Sequence, residues 1–326
     1  MGPRPGGPTP EAESHLMQCM EVWGGNDVAQ RAVGVPGLDA WVYSKPFGNS
    51  QGGGDVYYVS SCATGRIVRL LLADVSGHGQ AVQNVATELR ELMRRSVNQI
   101  DQSQFVRIMN RQFVGMASSG SFATAVVSTF FGPTCRLTLC NAGHPQPMLY
   151  RAAKRQWSML RTDRDSSSNE PVNLPLGVMD LADYENFDVP LQAGDLVLCY
   201  TDSLIESHGS DGQMLGHEGL LDIVRGVPTD DPSTYISRLL AAIAAKCDGN
   251  LTADDVTVML FQPTGKGRKR PTLRQQVVAS GKMLAAIARS IGPNGKPVPW
   301  PDMKLPNIGG AVFAPLSRLW SSRNRA

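Results

Sequence analysis

Apolar residues in this chain gather into short runs bounded by turn residues, and into two longer stretches with helical spacing. "RIVRLLLADV" (66–75) is β-branched and leucine-rich with glycine soon after it, the pattern of a buried strand. The segments "LDAWVYSKPF" (38–47), "DVYYVSSC" (55–62), "FATAVVSTFF" (122–131), "CRLTLCNAG" (135–143), "PMLYRA" (147–152), "DLVLCYTD" (195–202) and "DVTVMLFQP" (255–263) also read as strands. Two stretches between 81 and 116 follow the helical period instead. One places Val82, Val85, Ala86, Leu89, Leu92 and Met93 on one face; the other does so with Phe105, Ile108, Met109, Phe113 and Met116. "STYISRLLAAIAAKC" (233–247) predicts a further helix, and "EAESHLMQCMEVW" (11–23) a short amphipathic one. Residues 161–173 predict a loop and residues 1–10 a disordered start. The strands between 122 and 151 succeed one another too closely for helical crossovers, so they pair antiparallel. The fold class expected is α+β: antiparallel sheets with helices on their outer faces.

Composition narrows the setting. The chain has 326 residues, 42% of them hydrophobic and 18% charged, enough for a sizeable core. It shows neither a long uninterrupted apolar span nor a signal peptide. Its six cysteines are scattered without a CxxC pair, which indicates neither a disulfide framework nor a zinc site. The expectation is a cytoplasmic protein with no transmembrane segment. Charge is unevenly spread. Residues 264–326 hold twelve of the 31 basic and one of the 29 acidic residues, a surplus of +11, which leaves −9 on the remainder. The expected division is a polar segment with a short helix at 1–29, a main domain at 30–263 and a basic tail at 264–326.

Aspartates stand at four strand ends. Asp55 follows three glycines, Asp74 ends the run at 66–75, Asp202 closes "LVLCYTD", and Asp254 with Asp255 opens the last strand. One such aspartate is an ordinary turn or cap residue. Four predict carboxylates converging at one edge of a sheet. Oxygen ligands without Cys/His pairs indicate Mg²⁺ or Mn²⁺, and two such ions suit attack of water on a phosphoryl group. Gly53, Gly54, Gly77 and Gly79 leave room for a close backbone approach.

"GGGDVYYV", "LLLADVSGHG", the stretch from "FATAVV" to "NAGHPQPMLYR", the stretch from "NLPLG" to "YTDSLIES", and "DDVTVMLF" occur in a fixed order. Together they resemble the PPM family of metal-dependent protein phosphatases, over about residues 30 to 262. The bacterial branch typified by stage II sporulation protein E and the stress-response sigma-factor regulators is the nearest in pattern. The resemblance implies a two-sheet sandwich flanked by helices (α-β-β-α), with two Mn²⁺ or Mg²⁺ ions at one end. It implies hydrolysis of phosphoserine or phosphothreonine on a protein such as an anti-sigma-factor antagonist. Residue by residue it implies Asp55, Asp74, the Val75 carbonyl, Asp202 and Asp254 as ligands, with Asp255 as the substitute for Asp254.

Departures from the family pattern are local. Ser203 replaces the glycine of "TDG" and is strained if that position needs a positive φ. Tyr58 stands where a second acid is common. His78 is weighed as a general acid against a loop-orienting residue, and His144 as a turn histidine. Glu206 is read as a solvated helix residue, and Arg66 and Arg69 as facing solvent. In the tail, "TLRQQVVASGKMLAAIARSI" (272–291) forms a basic amphipathic helix candidate for a regulatory protein, an anionic surface or the acidic body. Without interleaved aromatics it is not a nucleic-acid module. Three function classes follow: a metal-dependent protein phosphatase, a catalytically weak phosphatase-fold module that senses or sequesters a phosphoprotein, and a metal-dependent phosphohydrolase of small molecules.

Overall fold

Alternation along the strands sets the layers. The structure is a computed structural model that describes residues 14–17, 21–48, 50, 52–62, 66–76, 80–97, 99, 101–116, 122–160 and 173–265. Before the first helix come β1 (Ser14–Leu16), β2 (Val22–Gly25), β3 (Ala29–Val35), β4 (Leu38–Lys45), β5 (Asp55–Ser61) and β6 (Ile67–Val75). Helices α1 (Gln80–Arg95) and α2 (Gln102–Met116) follow, then β7 (Ala123–Phe131), β8 (Arg136–Ala142), β9 (Met148–Arg151) and β10 (Gln156–Met159). The chain continues through β11 (Phe187–Pro190), β12 (Leu196–Tyr200), α3 (Ser203–Glu206), α4 (Gly216–Gly226), α5 (Pro232–Ala244) and β13 (Val256–Pro263).

The strands form two sheets. One runs β1-β3-β4-β13-β12-β9-β10 and the other β11-β8-β7-β6-β5-β2. Pairing is antiparallel throughout except at the edge, where β1 lies parallel to β3. Leu70, Leu72, Val126 and Phe130 of the second sheet meet Val197, Cys199, Met259 and Phe261 of the first, forming the inner core. The opposite face of the second sheet, with Leu71, Ala73 and Val75, packs on Val82, Leu89 and Met93 of α1 and on Phe105, Met109 and Phe113 of α2. Leu198, Tyr200, Val258 and Leu260 pack on α4 and α5 through Leu220, Val224, Tyr235 and Leu239. The result is the expected α-β-β-α sandwich. Each fully buried side chain of this kind contributes about 1.5–3 kcal/mol.

Three expectations are corrected. The described residues of 14–25 form two strands, not a helix: Ser14–Leu16 pairs with residues 32–34, and Val22–Gly25 pairs with β5, with Met17 and Glu21 outside them. Those edge partners outweigh a weak local helical pattern, and they extend the sandwich N-terminally of residue 30. Arg69 is fully buried, not solvent-facing. Its guanidinium donates to Thr129 Oγ1 (3.1 Å), the Ser96 carbonyl (2.7 Å) and the Gln99 carbonyl (2.5 Å), and it lies 4.5 Å from the centre of the Phe105 ring. It thereby ties the end of α1 and the start of α2 to β6. Helix α4 and strands β3, β10 and β11 are additional elements. In α4, Gly216, Gly219 and Gly226 dilute the helical signal carried by Leu220, Leu221 and Val224. The tail helix and residues 161–172 lie outside the described residues. Among the described residues no helix is long and apolar enough to cross a membrane.

Candidate metal centre

The strand ends meet at one end of the sandwich. Asp55 opens β5 and Asp74 nearly closes β6, and the two are directly opposite in register, with Thr124 of β7 next to Asp74. Period-two alternation puts Asp55 on the inner face with Tyr57 and Val59, and Asp74 on it with Leu70 and Leu72. Asp202 follows β12, and Asp254 and Asp255 precede β13, on the facing sheet. Sequence positions as far apart as 55 and 255 therefore share one rim.

Thr201 joins the two sheets there. Its hydroxyl donates to Asp55 Oδ2 (2.9 Å) and accepts from the Thr257 amide (3.0 Å), while its own amide donates to the Thr257 carbonyl (3.0 Å). The bond from Thr201, with a further one from the Thr257 side chain, fixes the orientation of the Asp55 carboxylate.

Asp254 and Asp255 differ in their engagement. Asp255 accepts from the Phe47 amide (2.5 Å), from the Gly54 amide, and from the Asp55 amide (3.3 Å). Both its oxygens thus hold the loop that leads into β5. Asp254 accepts one bond, from the Asp255 amide at 2.7 Å, and is exposed at the rim. The glycines are required by this clamp. A Cβ at Gly53 would collide with the Asp255 carboxylate, and one at Gly54 would lie 2.9 Å from the Val75 carbonyl oxygen. The Val75 carbonyl therefore stands at the same edge.

The carboxylates raise one another's proton affinity. Burial holds Asp55 well above the ordinary carboxylate range, and the charges of Asp74 and Asp255 add to this against the hydrogen bonds from Thr257 and Thr201. Burial pushes Asp74 up to about 7, with further contributions from Asp202, Asp254, Asp255 and Glu206. Asp202 is raised by burial and then by Glu206 and Asp254, offset in part by the amides of Ser203 and Asp202. Among the described residues no three carboxylate, imidazole or thiol groups are already gathered around a single point. The donor set nevertheless fits hard divalent cations. It is all oxygen, it repels itself when ionised, and its glycine edge admits a close backbone carbonyl.

Other residues singled out from the sequence fall as follows. Ser203 begins α3 and is absent from the residues with positive φ, so it carries no left-handed strain. Its hydroxyl lies 3.4 Å from that of Thr201. Glu206 is exposed, as expected of a solvated helix residue, yet its charge acts on both Asp74 and Asp202. His144 is a buried turn histidine: Nδ1 sits 2.8 Å from Thr124 Oγ1, and its amide and carbonyl are both held by the Asn141 side chain. Burial pushes its imidazole down to about 3, so it is neutral. Tyr58 is buried on the α1 side of β5, away from the rim. Gly77, His78 and Gly79 lie outside the described residues. Sequence reasoning missed Thr201 and the clamping role of Asp255; the "T-D" pair and the "D-D" pair were the signals available.

Comparison with known proteins agrees with this fold. The PP2C phosphatase domain with a regulatory fragment of SpoIIE from Bacillus subtilis superposes with a TM-score of 0.57 at 18% identity, covering 69% of this chain and 63% of that one. The chain thus spans less than two thirds of that structure's length. The RsbU and RsbW domains of a Mycobacterium tuberculosis protein give 0.54 at 23% identity, with 79% and 73% covered. RsbX, solved in complex with magnesium, gives 0.52 at 13% identity, with 72% and 99% covered. These likenesses establish the fold. The sequence profile of stage II sporulation protein E matches residues 64–264, from β6 and its Asp74 to the end of β13, while Asp55 lies just before the matched stretch. That stretch is well over half of the chain, and it places this protein in the stage II sporulation protein E family.

Proposed function

We propose that this protein is a metal-dependent phosphatase that hydrolyses phosphoserine or phosphothreonine on a signalling protein. The observation that carries it is the convergence of Asp55, Asp74, Asp202 and Asp254 on one rim, where three of the four are held above the ordinary carboxylate range. Such a set is costly without a counter-charge and becomes favourable around divalent ions. RsbX, of the same fold, was solved with magnesium, which supports Mg²⁺ or Mn²⁺ here. Asp55, Asp74, the Val75 carbonyl, Asp202 and Asp254 would hold two ions. Bound there, the ions supply Lewis acidity for in-line attack of water on phosphorus.

The chain's own residues do the rest. Thr201 and Thr257 fix the orientation of Asp55 through hydrogen bonds from their side chains. Asp255 holds the glycine loop against the start of β13. Neutral His144 braces Thr124 beside Asp74 without adding charge. The leaving seryl or threonyl oxygen departs with the phosphorus–oxygen bond electrons and takes a proton from solvent at this open edge.

A phosphorylated anti-sigma-factor antagonist or a similar small domain is the substrate class this reading favours, in keeping with the family. The basic segment 264–326 would then tune partner choice or location, outside the chemistry. The test is hydrolysis of phosphoserine and phosphothreonine peptides by the purified chain. Turnover is expected with Mn²⁺ or Mg²⁺ and is abolished by EDTA; equal turnover after thorough chelation overturns the metal-dependent reading.

A further inference from the structure

Beside the carboxylate rim the structure holds a second feature that the hydrolytic chemistry does not use. A cavity of about 250 Å³ is lined by Lys45, Pro46, Phe47, Leu251, Thr252 and Asp254. It shares Asp254 with the rim, so the two adjoin. Lys45 ends β4, in register with Val256 at the start of β13. Alternation with Trp41 and Tyr43, which pack on the α4–α5 side, puts Lys45 on the outer face of its sheet. Asp55 and Asp74 are on inner faces. Lys45 therefore stands on the outer face of its sheet, not on the inner face that Asp55 and Asp74 share.

The walls of this cavity are fixed. The Phe47 amide donates to Asp255, and the Ser50 hydroxyl donates to the Phe47 carbonyl at 2.9 Å. The turn is anchored to β13, while the Phe47 ring is left 55% exposed. Opposite it, Leu251 is held at φ 61, a left-handed conformation that a bulky side chain seldom adopts. Asn250 sustains that strain. Its side chain donates to the carbonyls of His208 (2.9 Å) and Ile243 (3.0 Å) and accepts from the His208 amide (2.8 Å). Strain kept in place by surrounding bonds is characteristic of ligand-holding sites. Among the described residues, no carboxylate lies within ion-pairing distance of Lys45, although Asp254 lines the same cavity. An ammonium group with no carboxylate partner among the described residues is available to an incoming anion.

We propose that this cavity is a substrate subsite. It holds an acidic residue flanking the phosphorylated serine or threonine, with Lys45 recognising the flanking carboxylate. Pro46 and the exposed Phe47 ring supply apolar contact for the aliphatic part of that residue and the adjoining backbone. A volume of about 250 Å³ suits one side chain with its backbone, and is more than a bare phosphoryl group fills. The inference rests on the phosphatase reading above and adds a preference for sequence around the phosphoresidue.

The test uses the full chain with Mn²⁺ and phosphoserine peptides that differ only in Asp, Asn or Lys at the positions flanking the phosphoserine. Wild type is expected to favour the Asp peptide over the Asn peptide by about fivefold in kcat/KM, carried by KM, the upper range of one exposed ion pair. Lys45→Met removes the preference, and Lys45→Glu inverts it toward the Lys peptide. Lys45 is exposed at a strand end, so both variants keep the fold, which a thermal melt verifies. The subsite is overturned if wild type turns over all three peptides alike, or if Lys45→Glu keeps the wild-type order. If no peptide is hydrolysed, the phosphatase reading falls by itself. Binding of the same labelled peptides, followed by fluorescence anisotropy, then decides the subsite: an Asp preference lost in Lys45→Glu supports it, and its absence refutes it.

Discussion

Asp55 and Asp74 face each other directly across the antiparallel pair of β5 and β6, two like charges in adjacent register at the buried end of a sandwich. Like charges so placed destabilise a sheet unless one is protonated or a cation lies between them. The arrangement makes the stability of the metal-free protein depend on pH in a definite direction. Unfolded carboxylates titrate near ~4. Folded Asp74 is pushed up to about 7, and Asp55 and Asp202 are raised as well. The folded state keeps protons that the unfolded chain has released, so this contribution is fully present below ~4 and is lost as pH rises through about 7.

Metal binding should reverse that loss. The increase in Tm on adding Mn²⁺ to EDTA-treated protein is expected to be larger at pH 8 than at pH 5, because protons compete for the same oxygens at the lower pH. Buried His144, pushed down to about 3, acts with the opposite sign, since its contribution is lost as pH falls from the ordinary imidazole range toward about 3. It is common to both samples, so the metal-dependent difference is free of it. Equal increments at the two pH values would exclude these carboxylates as ligands. Asp74→Asn should raise the Tm of the metal-free protein at pH 8, shrink the Mn²⁺ increment and abolish turnover.

The neighbouring aspartates before β13 should separate cleanly. Asp255 serves three backbone amides, and an asparagine there presents an NH₂ to one group of donors. Asp255→Asn is expected to cost about 1–3 kcal/mol of stability, measured by urea unfolding. Asp254 has a single local bond, so Asp254→Asn should leave stability nearly unchanged and lower metal affinity and turnover. The opposite pattern would exchange the two roles.

How far the sequence carried this account varies with the range of the interaction. Asp74 and Asp55 were legible because each ends a strand beside glycines, a local pattern. Thr201 was not, because its meaning is a bond to Asp55 146 positions away. Asp255 reads from the sequence only as the substitute for Asp254, and its clamping role is hidden for the same reason, since its partners at Phe47 and Gly54 lie on another strand's approach. Arg69 was misread because both faces of β6 are buried, so a near-continuous run gives no sign of which face an isolated polar residue takes. Strands β1 and β2 are three and four residues long, too short for a period to register, and exist through their partners.

Ser203, in place of a glycine, would be strained if its position needed a positive φ, and it is not among the residues with positive φ. It occupies the first position of α3 with an ordinary helical conformation, and its carbonyl accepts from the Ser207 hydroxyl at 2.8 Å. Ser203→Gly should therefore give no gain in kcat. It should lower stability by up to about 1 kcal/mol through added backbone freedom in the helix. A clear rise in kcat with unchanged KM would show that a glycine conformation is needed during turnover.

Arg69 offers the sharpest test of how the helical layer is attached. Its guanidinium donates to the Ser96 and Gln99 carbonyls and to Thr129, and the Ser96 carbonyl also accepts from the Gln99 amide at 3.0 Å. Burial pushes its pKa down to about 10, still well above neutrality, so the charge persists in the core. The carbonyls at the end of α1 carry the negative end of the helix dipole, which offsets part of the desolvation cost, and the Phe105 face adds to this. Arg69→Met keeps most of the volume and removes the donors. The loss of these donors should cost about 2–3 kcal/mol, or roughly 2–4 °C in Tm for each kcal/mol in a domain of this size. Arg69→Lys should not restore the loss, because a single ammonium lacks the planar fork that reaches three separated oxygens. Amide exchange in α1 and α2 should accelerate more than in α4 and α5, since the anchor joins the first pair alone to β6. Uniform acceleration across all four helices would mean that Arg69 supports the sandwich as a whole and does not specifically tether α1 and α2.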